Sequence, residues 1–285
     1  MTTPTVVESE GRPVTVTLLD ANHCPGAVMF LFQIGDRRML HVGDFRWDRE
    51  SMLRQRSLRE FHSLRYRLDD LYLDTTYCAE RYAGVPTQAR AIAAAVLTAE
   101  REVREAAESG TNTLFLFGSY TIGKERIYLS VAERLGVKAA VDGRKFRILS
   151  ALDWPSERMQ LLTKDKSETC VWVVPMGHVN FKHLRDYLDE ANKGKVFSKK
   201  YTRVCGFRPT GWTYNSSNDG LVSARKSGDC TVYGVPYSEH SNFAEMVDCL
   251  LCLKPKRIIP TVSVGKSEEQ CDLLLRAVLQ RQEEE

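Results

Sequence analysis

Four histidine and aspartate side chains each follow a short apolar stretch and could bind a metal ion. They are His23, Asp44, Asp74 and His240. Apolar, β-branched stretches of this length are typical of buried strands, and α/β proteins place their reactive groups at strand ends. Zinc accepts imidazole nitrogens and carboxylate oxygens, and a carboxylate can bridge two metals. Taken singly, His23 also fits a turn residue and the two aspartates fit caps, so residue type alone leaves both interpretations open.

A second group of polar residues could hold phosphate. The segment 118–124 reads Gly-Ser-Tyr-Thr-Ile-Gly-Lys and lies between a predicted strand and a predicted helix. Backbone N–H groups and hydroxyls in such a turn can bind an anion, which makes Ser119, Tyr120, Thr121 and Lys124 candidate phosphate contacts. The glycine spacing is not that of a Walker loop, and a simple glycine turn is the alternative.

Two serines beside His240 are further candidates for phosphate binding. Ser238 precedes the histidine by two residues and Ser241 follows it directly. Ser241 also fits the N-cap of a helix predicted at 241–253, since serine hydroxyls accept hydrogen bonds from the first free amides of a helix. Capping and phosphate contact are equally compatible with the sequence here.

The element predicted around His23 is a strand, a turn and a second strand over residues 14–32. Pro25 fixes its own backbone angle and Gly26 tolerates unusual ones, so together they force a sharp bend. His23 is therefore expected on a rigid rim between two strands. Residues 1–13 look like a loose lead-in to this unit.

Further along, the pattern changes to alternating helices and strands. Residues 87–108 are rich in Ala, Glu and Arg and predict a long amphipathic helix. A strand at 113–117, a glycine turn, a helix and a strand at 137–141 form a small α/β unit. Residues 48–68 predict exposed helix between the second and third strands.

Composition excludes few classes of function. The chain has 285 residues, of which 43% are hydrophobic and 27% charged, with a net charge of +3. This length allows a sizeable core in one large domain or two intertwined ones. The small net charge does not argue for nucleic acid, and the local basic clusters fit solvated faces. These clusters are Arg144-Lys145, the segment 193–200, Arg225-Lys226 and the segment 254–257.

Cysteine usage and hydropathy bear on the compartment. Eight cysteines are spread along the chain, and the single close pair, Cys249 and Cys252, lies in an apolar helical stretch that predicts buried thiols. The first 14 residues are polar and no apolar run approaches membrane length. We expect a reduced, intracellular, soluble protein with no membrane partner.

Five sequence words in a fixed order resemble the metallo-β-lactamase/β-CASP nucleases, and most closely their DNA interstrand cross-link repair branch, the Pso/Artemis/Apollo group. The resemblance extends from about Val14 to Gly265, and five ordered words are more specific than one motif. The words are Leu-Asp-Ala-Asn-His-Cys-Pro-Gly at 19–26, His-Val-Gly-Asp-Phe-Arg at 41–46, Leu-Asp-Thr-Thr-Tyr-Cys at 73–78, Phe-Arg-Pro-Thr-Gly-Trp at 207–212 and Tyr-Ser-Glu-His-Ser at 237–241.

The resemblance implies an α/β fold: a partial metallo-β-lactamase-like αββα sandwich with an inserted α/β β-CASP cap domain. The implied segments are 1–78 for the first, truncated part of the lactamase-like domain, 79–196 for the cap and 197–285 for the returning part. It also implies roles for single residues. His23 matches the third lactamase-motif histidine and Asp44 the bridging aspartate. Asp74 matches the β-CASP acidic motif, and His240 matches the last β-CASP histidine, which binds metal or the departing phosphate oxygen.

Two departures from the family pattern concern metal ligands. The family's strongest signature is His-x-His-x-Asp-His, and no two of the six histidines here have His-x-His spacing. We therefore expect that the amino-terminal half of the lactamase-like domain is missing. The middle β-CASP histidine is replaced by Trp172, while His178 and His183 lie nearby in a different phase and fit surface or core positions.

The function implied is that of a DNA-repair 5′–3′ exonuclease. Such an enzyme hydrolyses phosphodiesters at 5′-phosphorylated DNA ends with one or two zinc ions. Asp44, Asp74 and His240 would be its catalytic residues and His23 and Asp44 its metal ligands. Damaged or cross-linked DNA and DNA-repair proteins would be partners, and the nucleus its location.

The alternative is a non-catalytic fragment or pseudoenzyme that binds DNA or a repair partner. An RNA-processing enzyme is disfavoured by the words at 73–77 and 209–212, and a small-molecule lactamase by the large insertion.

Overall fold

The computed structural model describes residues 3–193, 200–215 and 221–284. The chain forms two compact units, one made of Met1–Gly84 with Glu239–Glu285 (unit 1) and one made of Val85–Ser238 (unit 2). In the described ranges, no helix combines the length and the apolar character needed to cross a membrane.

Unit 1 is built on a six-stranded sheet. Its strands are ordered β1-β2-β3-β4-β5-β13, with antiparallel pairing from β1 to β4 and parallel pairing of β5 with both of its neighbours. The strands are β1 Thr5–Ser9, β2 Arg12–Asp20, β3 Val28–Ile34, β4 Arg37–His41, β5 Asp70–Leu73 and β13 Arg257–Pro260. Residues 5–9 therefore pair as an edge strand, where the sequence suggested only a loose lead-in.

Helices cover one face of this sheet. They are α1 Arg49–Met52, α2 Arg56–His62, α8 Phe243–Leu253 and α9 Ser267–Glu284. Leu40 and Leu71 of the sheet share a buried core with Phe61, Met246 and Leu250 of the helices. The segment 48–68 is thus helical as expected but not simply exposed, since its inward side chains are buried.

The opposite face of the unit 1 sheet is apolar but partly open. Leu18 and Phe30 are cross-strand neighbours and are 37% and 40% exposed. Phe30 stacks on Phe32, and His41 stacks on Tyr72 further along the same sheet. Strands alternate their side chains between faces, so this row belongs to the face away from the helices.

Unit 2 has a seven-stranded, mostly parallel sheet with the strand order β11-β12-β10-β6-β9-β7-β8. The strands are β6 Thr113–Ser119, β7 Ala139–Ala140, β8 Leu162–Thr163, β9 Val171–Pro175, β10 Arg203–Pro209, β11 Ser223–Ser227 and β12 Cys230–Val235. Every residue of β6 is buried, as expected for a central parallel strand covered on both faces.

Helices flank both faces of this sheet. They are α3 Gln88–Glu108, α4 Glu125–Leu135, α5 Gly143–Ser150, α6 Ser156–Gln160 and α7 Phe181–Asn192. One core joins Ala95 of α3 and Ile127 of α4 to Phe117, and the other joins Leu184 of α7 to Leu116. The long helix begins after its N-cap Thr87 and ends at Glu108, just before its C-cap Ser109, in agreement with the sequence pattern.

The fold class is confirmed as mixed α/β with two sheets. The two compact units divide after Gly84 and after Ser238, and the segments 1–78, 79–196 and 197–285 stay predictions of domain extent. The expected boundary at 196 falls outside the described residues. β10 and β12 stay with unit 2 because β10 pairs in parallel with both β6 and β12, and Phe207 stacks on Phe117 at 4.6 Å.

Candidate metal centre and phosphate loop

The turn that carries His23 is fixed by local hydrogen bonds. The Asp20 carboxylate accepts from the amide of Asn22 at 2.6 Å, and the Asn22 side chain donates to the Arg46 carbonyl at 3.1 Å. Gly26 adopts φ +86°, a left-handed conformation that favours glycine and closes the bend. His23 is consequently held at the end of two paired strands, as the sequence predicted.

Three potential metal ligands come together in unit 1. His23, Asp44 and His240 each offer one ligand atom, and these atoms lie within 4.8 Å of one another. The two imidazole rings meet edge to face with centroids 4.7 Å apart. The structure therefore adds His240 to the pair His23 and Asp44, although 196 residues separate it from Asp44 in sequence.

Hydrogen bonds at Nδ1 orient both imidazoles of the cluster. Nδ1 of His23 lies 2.8 Å from the Glu239 carbonyl oxygen, which can only accept, so Nδ1 carries the proton. Nδ1 of His240 lies 2.8 Å from the Asp74 carboxylate. An acceptor at Nδ1 favours the tautomer in which Nε2 carries the lone pair, which is how second partners act on metal-binding histidines.

Asp74 supports His240 from a buried position. It is fully buried and accepts from the amide and the hydroxyl of Thr76 at 3.0 and 2.6 Å. Burial raises the pKa of its carboxyl, but the hydrogen bonds from His240 and Thr76 outweigh burial and bring the pKa below its usual value. The structure thus places Asp74 behind His240 as an ionised hydrogen-bond acceptor.

Ser241 has a different role from either interpretation of its sequence position. It is fully buried, and its hydroxyl accepts from the Trp47 amide at 2.9 Å and donates to the Phe45 carbonyl at 3.3 Å. The N-cap of α8 is Asn242, which forms a capping box with Glu245. Ser241 therefore tethers the backbone after Asp44 and presents no hydroxyl to a phosphate.

The loop after β6 holds the other candidate phosphate contacts, all within unit 2. The Ser119 hydroxyl is buried and bonded to the Tyr120 and Gly123 carbonyls, whereas Tyr120 and Thr121 are exposed. Lys124 is 6% exposed, with its ammonium 5.0 Å from the centre of the Tyr237 ring. Ser119 thus acts within the loop, and only its neighbours face outward.

The structure also shows the surroundings of the other residues that the sequence singled out. Ser238 is buried and its carbonyl accepts from Gln88 at 3.1 Å. Trp172 is 3% exposed, and its indole N–H donates to the carbonyls of Lys166 and Thr169. His178 and His183 stack on each other at 4.3 Å instead of joining the metal cluster.

Lys145 contacts the loop after β6, and the sequence did not indicate this role. Its basic pair with Arg144 fits a solvated face by sequence, yet Lys145 is 5% exposed and its ammonium contacts the Ser119 hydroxyl and Tyr120 carbonyl, each at 2.9 Å. The basic pair gives no sequence signal for this burial, which depends on the loop folded around the side chain. The Glu239 carbonyl that orients His23 carries no sequence signal, since every residue has one.

Comparison with known proteins agrees with this fold. Residues 156–266 match a family described as DNA repair metallo-beta-lactamase. The DNA cross-link repair 1A protein of Gallus gallus is 41% identical over 88% of this chain, and the DNA cross-link repair protein SNM1 of Arabidopsis thaliana is 37% identical over 92%. The 5′ exonuclease Apollo of Gallus gallus is 28% identical over 88% of the chain.

These matches cover only part of each relative. The chain spans 24% of the Gallus gallus cross-link repair protein, 51% of the Arabidopsis thaliana protein and 46% of Apollo. A crystal structure of a protein of unknown function from Enterococcus faecalis V583 matches 93% of the chain with a TM-score of 0.52 at 13% identity, and it covers 61% of that protein. That likeness concerns the fold alone.

The two α/β sheets and the histidine–aspartate cluster define a metallo-β-lactamase-like protein with an inserted β-CASP unit. The sequences of the relatives and the five sequence words identified above narrow the family assignment of this chain further. The chain belongs to the DNA cross-link repair group of the metallo-β-lactamase/β-CASP family.

Proposed function

We propose that this chain is part of a DNA-repair nuclease that hydrolyses phosphodiesters at 5′-phosphorylated DNA ends in the 5′–3′ direction with the help of zinc. The observation that supports the proposal is the convergence of His23, Asp44 and His240, whose ligand atoms lie within 4.8 Å of one another. Two imidazoles and a carboxylate suit zinc, and three protein ligands with an open position are typical of a catalytic zinc site.

In this mechanism residues of the chain would hold the metal. His23 and His240 would bind it through an imidazole nitrogen and Asp44 through a carboxylate oxygen. Asp74 keeps the Nδ1 proton of His240 in place, which preserves the tautomer needed for ligation. A zinc ion bound there would act as a Lewis acid and lower the pKa of a bound water. The exposed residues Tyr120 and Thr121 would contact phosphate groups of the DNA.

A second candidate function is non-catalytic binding of DNA or of a repair partner. The observation that favours it is that no two of the six histidines have His-x-His spacing. The sequence lacks the His-x-His-x-Asp-His motif that supplies most ligands in the family. We therefore expect this chain alone to bind zinc weakly and to show little or no nuclease activity. Damaged DNA, repair proteins and a nuclear location belong to the same proposal.

Zinc binding and nuclease assays separate the two candidates. Zinc bound per chain is measured by equilibrium dialysis for the wild type, His23→Ala, Asp44→Ala and the control His183→Ala, which removes a histidine outside the cluster. We expect weak zinc binding that both cluster variants abolish and the control retains. Zinc binding unaffected by the cluster variants, or none in the wild type, would reject the metal site and favour the non-catalytic candidate.

The second assay follows degradation of a 5′-phosphorylated single strand. Rapid, zinc-dependent turnover that disappears in His23→Ala and Asp44→Ala would show that other residues complete the metal site. It would overturn the expectation of low activity while supporting the nuclease assignment.

A further inference from the structure

An arginine-rich surface lies in unit 1 near the start of strands β4 and β5. The segment 54–67, which contains α2, has five arginines and one acidic residue, Glu60. This segment alone is more positive than the whole chain, whose net charge is +3. Arg38, at the start of β4, lies beside it with its guanidinium 4.3 Å from the centre of the Tyr66 ring. We call the segment 54–67 together with Arg38 the arginine surface.

Some arginines of this surface are paired within the chain and others are not. The guanidiniums of Arg56 and Arg65 lie 3.0 and 3.6 Å from the Glu60 carboxylate. The side chains of Arg59 and Arg67 are exposed and form neither a hydrogen bond nor an ion pair with any residue that the structure describes. Exposed guanidiniums of this kind attract anionic groups, and they suit carboxylates because they can donate two parallel hydrogen bonds to one carboxylate. The arginine surface therefore complements an acidic ligand.

Leu64 combines a strained backbone with an exposed side chain. It follows Ser63, the C-cap of α2, and adopts φ +58°, in the left-handed region that glycine usually occupies after the end of a helix. Leu64 is 54% exposed. A leucine at this position thus costs backbone strain and gains little burial within the chain. Strained residues cluster at binding sites, where the side chain contacts a ligand.

Tyr66 places an aromatic ring among the arginines. It is 37% exposed, and its amide donates to the Glu60 carbonyl at 3.3 Å, which folds the turn after α2 back onto the helix. The guanidiniums of Arg38 and Arg65 lie 4.3 and 5.6 Å from the centre of its ring, within the range of a cation–π contact. Tyrosine and arginine are the residue types that dominate the binding energy of protein interfaces.

These residues favour a protein segment over nucleic acid as the ligand. Leu64 gains nothing from a phosphate backbone, whereas an apolar side chain of a protein can cover it. Glu60 and Asp69 also place two carboxylates beside the arginines, which weakens the attraction of this surface for the regularly spaced phosphates of DNA. A protein segment can instead alternate its carboxylates with apolar side chains.

We propose that the arginine surface binds an acidic segment of a partner protein that also carries an apolar side chain. Arg59 and Arg67 contact carboxylates of the segment, and Leu64 packs against its apolar side chain. The inference goes beyond the proposed function, because it requires neither a metal nor DNA. The metal cluster lies toward the opposite end of the same strands, since Asp44 follows the end of β4 and Asp74 follows the end of β5.

The first test uses three synthetic peptides as probes. Binding of a fluorescein-labelled peptide that repeats Glu-Glu-Leu is measured by anisotropy in EDTA and compared with peptides that repeat Glu-Glu-Ser and Lys-Lys-Leu. We expect the Glu-Glu-Leu peptide to bind about tenfold more tightly than the Glu-Glu-Ser peptide, because Leu64 and a leucine of the peptide become buried. The Lys-Lys-Leu peptide should not bind, and the affinity of the acidic peptides should fall as salt rises. No binding of Glu-Glu-Leu, or equal binding of Lys-Lys-Leu, would overturn the proposal.

The second test removes the two arginines without a partner. The double variant Arg59→Ala with Arg67→Ala should bind the Glu-Glu-Leu peptide about tenfold more weakly than the wild type. The matched control is Arg276→Ala with Arg281→Ala, which removes the same charge from exposed positions of α9 outside the arginine surface. The control should retain the affinity of the wild type. An equal loss in both double variants would mean that only the net charge matters and would overturn the proposal.

A labelled DNA duplex is the probe for the other class of macromolecule. We expect the double variant Arg59→Ala with Arg67→Ala to bind the duplex nearly as well as the wild type does. A loss of duplex binding as large as the loss of peptide binding would assign the arginine surface to nucleic acid and would overturn the proposal.

The third test isolates the contribution of Leu64. Leu64→Gly should keep or raise the melting temperature, because glycine adopts the left-handed conformation without strain. The same variant should bind the Glu-Glu-Leu peptide only as tightly as the Glu-Glu-Ser peptide, with the affinity for Glu-Glu-Ser unchanged. Leu64→Asn, which also tolerates this conformation, should behave alike. A preference for Glu-Glu-Leu that persists in both variants would refute the contact assigned to Leu64.

The failure of this inference and the failure of the proposed function are distinguishable. His23→Ala and Asp44→Ala should abolish zinc binding and leave peptide binding intact, whereas Arg59→Ala with Arg67→Ala should do the reverse. Loss of peptide binding in the two cluster variants would contradict the assignment of a separate role to the arginine surface.

Discussion

Replacement of Asp74 by asparagine is the sharpest perturbation of the candidate metal centre. The carboxylate is fully buried and accepts four hydrogen bonds, from the amide and hydroxyl of Thr76, from Nδ1 of His240 and, at 3.5 Å, from the amide of Phe45. Asparagine has nearly the same shape but only one acceptor oxygen, and its NH₂ group can only donate. The NH₂ group of the new amide must therefore lie opposite groups that are themselves hydrogen-bond donors.

The magnitude follows from the two orientations of that amide. With its oxygen toward Thr76, the NH₂ group faces Nδ1 of His240, and the imidazole must move its proton to Nε2, which removes the lone pair for the metal. With its oxygen toward His240, the Thr76 amide loses its partner at a cost of about 1–3 kcal/mol. Loss of such a supporting partner typically lowers metal affinity by about 10- to 100-fold.

The assay is a zinc competition with a fluorescent chelator at pH 7. We expect Asp74→Asn to bind zinc about 10- to 100-fold more weakly than the wild type. The matched control is Asp70→Asn, which changes a buried carboxylate at the other end of β5. Wild-type zinc affinity in Asp74→Asn, or an equal loss in Asp70→Asn, would refute the role assigned to the contact between Asp74 and His240.

Three further predictions concern stability and association. Burial raises the pKa of Asp70, but hydrogen bonds from Arg257 and Arg37 outweigh burial and lower the pKa. The ionised carboxylate therefore stabilises the fold at neutral pH. The difference in melting temperature between the wild type and Asp70→Asn should shrink as the pH falls below about 4. We expect the exposed apolar side chains on the open sheet face to make the chain self-associate, and Phe30→Ser should reduce this association in sedimentation velocity with little change in melting temperature; unchanged association would contradict this. Trp172→His should not increase the amount of zinc bound per chain. Trp172→Ala should lower the free energy of unfolding by about 3–5 kcal/mol, measured with a denaturant, because the side chain belongs to a core.

Local patterns in the sequence predicted most elements near the site. The bend at Gly26 follows from backbone preferences of two residues, and the helix Gln88–Glu108 follows from its periodicity and its threonine cap. His23 and Asp44 were recognisable because short words surround them. Each of these signals depends on residues that are near one another in the chain.

What the sequence could not predict depends on contacts between distant residues. The β10 strand looks like any buried strand, and its place in unit 2 is set by parallel pairing with β6 about 90 residues earlier. Ser241 fits an N-cap by type, but the neighbouring Asn242 caps the helix because its side chain meets the Glu245 amide. Lys145 lies in a basic pair, and only the loop folded around it shows that its charge is buried.

X-ray absorption at the zinc edge of the metal-loaded chain identifies the ligand atoms themselves. We predict scattering from imidazole nitrogen and carboxylate oxygen at about 2.0–2.2 Å, with two imidazoles per zinc in the wild type and one in His240→Ala. Cys24 adjoins His23 in the sequence and offers the alternative ligand. A sulfur scatterer at about 2.3 Å, or a spectrum that His240→Ala leaves unchanged, would contradict the assignment of His23, Asp44 and His240 as the metal ligands.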